Sequence, residues 1–295
     1  MQAVNRILVT SLLLLFAPAS FAALSVDSLN FPVWVERGEQ SMPAAPGDKL
    51  LAGDVIRTGQ AGRAWLALED GSVIKLGEAT RFVVERAEFR QVDGTTLLDG
   101  AFDVLKGAFR FTSNFFTAIR PAQHRVKFQV GAVTVGVRGT DIWGLSSDSE
   151  DFVALIEGSI EATSNGDTPQ LMEQTLTLYR KPAAAPANPV QPVEMSVVQQ
   201  LAPKTELQAE AGIARVGGGY SLVFASVQAK ANAEALVERL RRAGYPVTTR
   251  AVDVEGRNFT RVQLNWLVDL ESARKLRERM IREAIVDDAW ISSDR

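Results

Sequence analysis

Between about positions 33 and 163 the chain alternates apolar and polar residues in short runs of period two. In Arg63-Ala64-Trp65-Leu66-Ala67-Leu68-Glu69, the residues Ala64, Leu66 and Leu68 share one face. Asp70-Gly71 follows, a dipeptide suited to a tight hairpin, and Ser72-Val73-Ile74-Lys75-Leu76 returns as the partner strand. Further strand-like runs cover 81–86, 96–98, 102–105, 108–112, 125–137, 142–145 and 152–157. Gly77, Asp93-Gly94, Asp99-Gly100, Gly107, Gly131, Gly139 and Gly158 punctuate them. Many short strands at close spacing, with no helical period, predict an all-β roll, solenoid or sandwich over 23–170.

The texture changes after Gly166. Positions 181–192 hold four prolines and four alanines, an extended spacer by composition, and 196–211 has the makings of a short helix. The segment 171–216 is therefore predicted to be a Pro/Ala-rich linker, with Gly217-Gly218-Gly219 as a flexible hinge. From 217 to 295 an internal repeat appears at an offset of 40 positions. Ala233 falls on Ala273, Leu236 on Leu276, Glu238 on Glu278, Arg239 on Arg279 and Leu240 on Met280. Ala233, Leu236, Val237, Leu240 and Ala243 mark one face of a helix, and Ala273, Leu276, Met280 and Ala284 another. Alternating strands precede each helix at 220–227 and 260–267, with further strands at 247–254 and 289–292 and a turn at 255–258. The order is βαββαβ, an α+β ferredoxin-like domain with both helices on one face of the sheet and the other face open.

Composition narrows the chemistry. The chain of 295 residues has one histidine and no cysteine, which excludes disulfides, thiolate metal sites, a cysteine nucleophile and a thiol-linked lipid anchor. His124 lies beside Arg125, a cation that disfavours imidazolium, and reads as a loop residue. Asp148, Glu150 and Asp151 suggest paired acids or a calcium site, yet Ser146-Ser147-Asp148-Ser149-Glu150-Asp151 reads more simply as a polar loop. No metal, no cofactor, no catalytic residue and no nucleic-acid partner is expected. Arg6, an apolar stretch at 7–17 and Ser20-Phe21-Ala22 give a secretory signal over 1–22, too short to span a bilayer as a permanent helix. The expected mature chain is exported to a bacterial periplasm, with no membrane span after signal cleavage.

The C-terminal repeat resembles a SPOR domain, the small peptidoglycan-binding module of bacterial division proteins. The residues concerned are Tyr220-Ser221-Leu222-Val223-Phe224-Ala225-Ser226-Val227, then Asn232-Ala233, and Thr260-Arg261-Val262-Gln263-Leu264-Asn265-Trp266-Leu267, then Ser272-Ala273. Val223 stands where the family has glutamine, Ala225 where it has glycine, and Asn265-Trp266-Leu267 where it has Gly-Pro-Phe. Strand alternation sends Ser221, Val223, Arg261 and Gln263 to the open face. Hydrogen-bonding groups on Ser226, Arg261 and Gln263, with Trp266 or Trp290 as an aromatic plate, would suit a glycan strand. Trp266 and Trp290 would equally serve as core caps at strand ends. With 13 Lys and Arg against 11 Asp and Glu, the domain offers no electrostatic clamp.

The β-rich part resembles a FecR domain, a periplasmic module of iron-transport signalling regulators. It is carried by Gly53-Asp54-Val55-Ile56-Arg57-Thr58-Gly59, Gly62-Arg63-Ala64-Trp65-Leu66, Asp70-Gly71-Ser72-Val73-Ile74-Lys75-Leu76, Val137-Arg138-Gly139-Thr140-Asp141 and Leu155-Ile156-Glu157-Gly158-Ser159-Ile160. Asp54, Arg57, Asp70, Arg138, Gly139 and Thr140 are its motif positions here; each also reads as turn or bulge chemistry. Regulators of sigma factors carry a cytoplasmic segment and a membrane helix ahead of this domain. Here it follows the signal directly, which points away from a transmembrane relay. The two resemblances imply a non-enzymatic envelope protein that binds peptidoglycan glycan strands, at division sites, and offers its β domain to a ligand or a periplasmic or outer-membrane protein. The competing readings are an adaptor or sensor component whose SPOR-like fold has lost glycan binding, and, more weakly, a hydrolase using β-domain carboxylates.

Overall fold

The computed structural model describes residues 23–92, 95–114, 125–164 and 167–293. The signal stretch 1–22, the Asp93-Gly94 turn, Gly166 and His124 lie outside them.

The N-terminal part is all β, as the alternation predicts. Its strands are β1 (Leu24–Asn30), β2 (Val33–Arg37), β3 (Gln40–Pro43), β4 (Lys49–Leu50), β5 (Val55–Thr58), β6 (Arg63–Leu68), β7 (Val73–Leu76), β8 (Arg81–Val92), β9 (Thr95–Thr112), β10 (Arg125–Val130), β11 (Val133–Ser146) and β12 (Glu150–Ser164). The β6–β7 hairpin forms, Ala64 opposite Leu76 and Leu66 opposite Ile74, but its loop is the three residues Glu69-Asp70-Gly71 with positive φ (+85°) at Gly71 and not at Asp70, in place of a two-residue turn with positive φ at both centres. The runs read separately at 96–98, 102–105 and 108–112 are one strand, β9. The run read as single at 125–137 divides at Gly131, and β10 lies parallel to β9, Phe128 opposite Phe102.

Three long strands change partners along their length. β9 pairs with β8 and β10 up to position 106, then with β7 and the far half of β11 from Gly107 onward. β11 leaves β10 after Val137 and joins the end of β9 from Asp141. β12 pairs with β13 (Gln170–Met172) in its second half and with β14 (Thr177–Pro182) in its first. Gly107, Gly139 and Gly158 occupy these crossover points, all with positive φ. At Gly158 a Cβ would collide with the carbonyl of Gly139 and with Thr140, so the two strands cross closely only because that atom is missing. Between the halves lies an aromatic centre in which the Phe128 ring stands 5.2 Å from Phe102, 5.0 Å from Phe109 and 5.2 Å from Phe111.

The C-terminal part has the order read from the repeat: β17 (Tyr220–Val227), α2 (Lys230–Arg242), β18 (Thr248–Val254), β19 (Arg257–Leu267), α3 (Leu270–Arg282) and β20 (Trp290–Ser293). The antiparallel sheet runs β18-β19-β17-β20. Ala233 and Leu240 of α2, with Ala273, Leu276 and Met280 of α3, join Leu222, Val262 and Leu264 in the core. Asp269 caps α3 by accepting a hydrogen bond from the Ser272 amide at 2.7 Å.

The segment 171–216 lies against both parts. β14 pairs with β12 and with the two-residue β15 (Gln191–Pro192), α1 covers Met195–Leu201, and β16 (Ala214–Arg215) pairs with both β1 and β19. A short helix thus exists, but it ends before the expected 211, in 3₁₀ turns at Ala202–Lys204 and Ala209–Ala211. The Gly217-Gly218-Gly219 segment is held as well: the Gly218 amide donates to the Arg215 carbonyl at 3.0 Å, and a Cβ at Gly218 would collide with the Trp266 carbonyl. One continuous core runs from Leu24 to Val286. Where the two parts meet, Asn30 donates to the carbonyls of Gln208 (3.1 Å) and Gly212 (2.8 Å). Phe31 packs on Tyr245, and Gly244 abuts Pro32 and Trp34.

Candidate functional site

The open side of the C-terminal sheet is built from cross-strand rows, because residues directly opposite on antiparallel strands share a face. One row runs Thr248, Gln263, Val223, Trp290 across four strands. The next runs Arg250, Arg261, Ser226. A register shift between Val223 and Ala225 keeps Ser226 on the same side as Val223 despite their odd spacing.

The seven residues singled out for glycan binding fall into three groups. Trp290 is exposed, at 44%. Ser226, Arg261 and Trp266 are half-buried. Ser221, Val223 and Gln263 are buried, at 0%, 1% and 8%. Two of these buried groups share one internal partner: the Ser221 hydroxyl and the Gln263 amide both donate to the Asn265 carbonyl oxygen, at 3.0 and 2.7 Å. Asn265 in turn donates to Thr248 at 3.1 Å. The side chains the sheet leaves accessible are therefore Trp290, Ser226 and Arg261, with Arg250 exposed opposite Arg261. The Arg261 Nε is buried and has no hydrogen-bond partner among the described residues. Two guanidinium groups facing each other across a strand pair repel, which favours an acceptor-rich ligand between them.

Trp266 behaves differently from the rest. It sits where β17 and β19 lose register between Tyr220 and Leu222, with φ +70°. For a bulky side chain that conformation costs about 1–3 kcal/mol. It packs against the core and also lines the space between the sheet and the β2–β3 hairpin, with Met42, Pro43 and Thr248.

Arg250, Thr248 and Asn265 were not among the expected site residues. The turn between β18 and β19 is two residues, Glu255-Gly256 at φ +53° and +76°, not the four at 255–258. A Glu-Gly pair that can adopt two positive φ angles was the available signal; counted from it, Arg250 falls opposite Arg261.

The FecR motif residues form a frame within the β domain. Asp54, 1% exposed, accepts from Arg37 Nε and Nη2 at 2.7 and 2.6 Å and from the Leu51 amide at 2.8 Å. That bond holds the Arg37 guanidinium pKa above its ordinary value. Arg57 binds Glu36 at 3.0 Å and stacks 3.8 Å over the Trp34 ring. Asp70 accepts from the Ser72 amide at 2.8 Å and fixes the β6–β7 turn. At the bulge expected on 138–140, Gly139 has φ +65°, Thr140 is buried, and the Thr140 carbonyl accepts from the Ser113 amide at 3.0 Å. Arg138 contributes its backbone to β11, opposite Ser159. Next to it Asp141 binds Arg110 through both oxygens, at 2.9 and 2.6 Å, and raises the Arg110 pKa.

No group of three or more His, Asp or Glu side chains among the described residues is arranged to hold a metal, and no described helix is long and apolar enough to cross a membrane.

Two family models match. Residues 54–161 match the FecR protein family and residues 216–291 the SPOR domain family. The chain carries a FecR domain followed by a SPOR domain, on a β-rich fold ending in the α+β module. No curated protein matches it. Two crystal structures of a provisionally described anti-sigma factor from Parabacteroides distasonis ATCC 8503 align with it. The first has 11% identity over 69% of this chain and 96% of that one, the second 13% over 78% and 91%. Both have a TM-score of 0.38, too loose a likeness to define a shared fold.

Proposed function

We propose that this chain is an exported, non-enzymatic envelope protein that holds peptidoglycan glycan strands on the open face of its SPOR sheet. Its FecR domain then presents a surface to a ligand or protein partner in the periplasm, at sites of division. The observation that carries the reading is the accessible set on that face: an exposed indole at Trp290 on one edge, then Ser226, Arg261 and Arg250 along a single row. An aromatic ring offers a face to pyranose C–H groups, and the hydroxyl and guanidinium groups offer hydrogen bonds to hydroxyl and acetamido oxygens. The domain's near-balanced charge suits a ligand recognised by stacking and hydrogen bonding rather than by charge alone.

A second reading, a periplasmic adaptor that no longer binds glycan, draws support from the burial of Ser221, Val223 and Gln263. Co-sedimentation of residues 23–295 with purified sacculi, intact or stripped of stem peptides by an amidase, separates the two. Retention that falls in Trp290→Ala and Arg261→Ala supports glycan binding. Absence of retention on both preparations leaves the adaptor.

A further inference from the structure

We infer that the glycan contact extends beyond the sheet into a cleft between the two parts of the molecule, with Trp266 as a second aromatic plate and residues of the N-terminal β part forming the opposite wall. This rests on the glycan reading above. The cleft measures about 350 Å³, within the range of built small-molecule sites, and is lined from one side by Val35, Met42, Pro43, Asp48 and Lys49. Trp266, Thr248 and Arg241 line it from the other.

Three observations point to a saccharide. First, Trp266 is held at φ +70° by the register break in the sheet, and a bulky residue in that region signals a constraint met elsewhere. The half-buried Trp266 packs against the core and also lines the cleft, so a sugar stacked on its accessible part lies between the domains. Second, the polar groups are mixed. Among the described residues the Lys49 side chain makes no hydrogen bond or ion pair, Asp48 uses one oxygen on the Ala45 amide, and Arg241 uses Nε, on the Val247 carbonyl. An acceptor and two donors with spare capacity beside an indole and an exposed thioether (Met42 is 43% exposed) fit hydroxyl and acetamido groups better than a purely ionic ligand. Third, the cleft is continuous with the open face. Thr248 lines it and also ends the row that starts at Trp290. Three inter-strand spacings of about 4.8 Å put about 14 Å between those ends, a path along which a linear polymer meets both plates.

The test uses residues 23–295 and soluble glycan strands released from sacculi by an amidase. The double variant Met42→Ala/Lys49→Ala changes two exposed side chains of the N-terminal β part and is checked by thermal melting to have kept its fold. Binding weakened about tenfold, with the melting temperature unchanged, is the expected result. Binding equal to the parent's, while Trp290→Ala and Arg261→Ala lose affinity, would overturn the two-domain cleft and leave the sheet as the whole site. A parent chain that binds no glycan would overturn the glycan reading itself, and the cleft with it.

Discussion

Arg279, on the last helix, donates from its guanidinium to the main-chain carbonyl of Phe31 at 2.6 Å, a bond that spans 248 positions of sequence. The side chain is 4% exposed, and its Nε faces Glu283 at 3.9 Å. The Tyr245 ring, which packs on Phe31, stands in the same place; burial drives its phenol pKa up while the Arg279 charge pulls it down. A cation is buried here against a carbonyl of the other domain, so the two domains are docked through specific chemistry and not merely tethered.

Arg279→Ala is therefore expected to lose about 2–3 kcal/mol, because it strands a buried acceptor and opens a void at the junction. Calorimetry should show a single transition for the parent, shifted down by several degrees in the variant. A parent that melts in two independent steps, only the later-formed one sensitive to the substitution, would mean that the domains fold separately.

Gly158→Ala places a Cβ against the Gly139 carbonyl at φ +89°. Its expected cost is about 2–3 kcal/mol. Gly256→Ala, at φ +76° but facing open space, should cost only about 1 kcal/mol. Denaturant midpoints for the two variants check the difference; equal losses would show that close strand crossing is not what Gly158 provides.

Asp54→Ala leaves the Arg37 guanidinium and the Leu51 amide without their shared carboxylate. A loss of about 2–4 kcal/mol in stability is expected, with glycan retention unchanged at temperatures where the variant is folded. Impaired retention by the folded variant would assign this motif a part in binding instead of framing.

Asp103 supplies a pH signature. Burial, and then Glu85, hold its carboxyl pKa above the usual value, with Lys127 pulling the other way. An acid with a raised folded pKa destabilises the fold where it is ionised. That penalty is full above the folded pKa and disappears as the pH drops below the unfolded value of about 3.9. Asp103→Asn should raise the melting temperature at pH 7, and the gain should shrink on acidification. A gain independent of pH would point to packing rather than charge.

Much of this architecture was legible in the residues. The 40-position repeat of Ala233, Leu236 and Leu240 on Ala273, Leu276 and Met280 carries a helical period, and period alone orders the βαββαβ module. Alternation likewise places the β6–β7 hairpin. What escaped was long-range. Gly100 and Gly107 read as breaks between strands, yet β9 passes through both, since a glycine that ends one strand and a glycine that bends it look alike locally. Asn30 and Phe31 carry no mark of contacts about 180 and 250 positions away. Ser221 and Gln263 are buried with their polar groups on Asn265, which accepts from both; alternation puts the three on one face but does not say that they satisfy one another there instead of a ligand.

The central claim, that the accessible set of Trp290, Ser226, Arg261 and Arg250 holds glycan, is tested most directly by the affinity of residues 23–295 for purified sacculi. The parent should sediment with them, and Trp290→Ala and Arg261→Ala should each weaken retention about tenfold without lowering the melting temperature, in keeping with about 1.4 kcal/mol for one aromatic or charge-assisted contact. Full retention by both variants, or none by the parent, would contradict it.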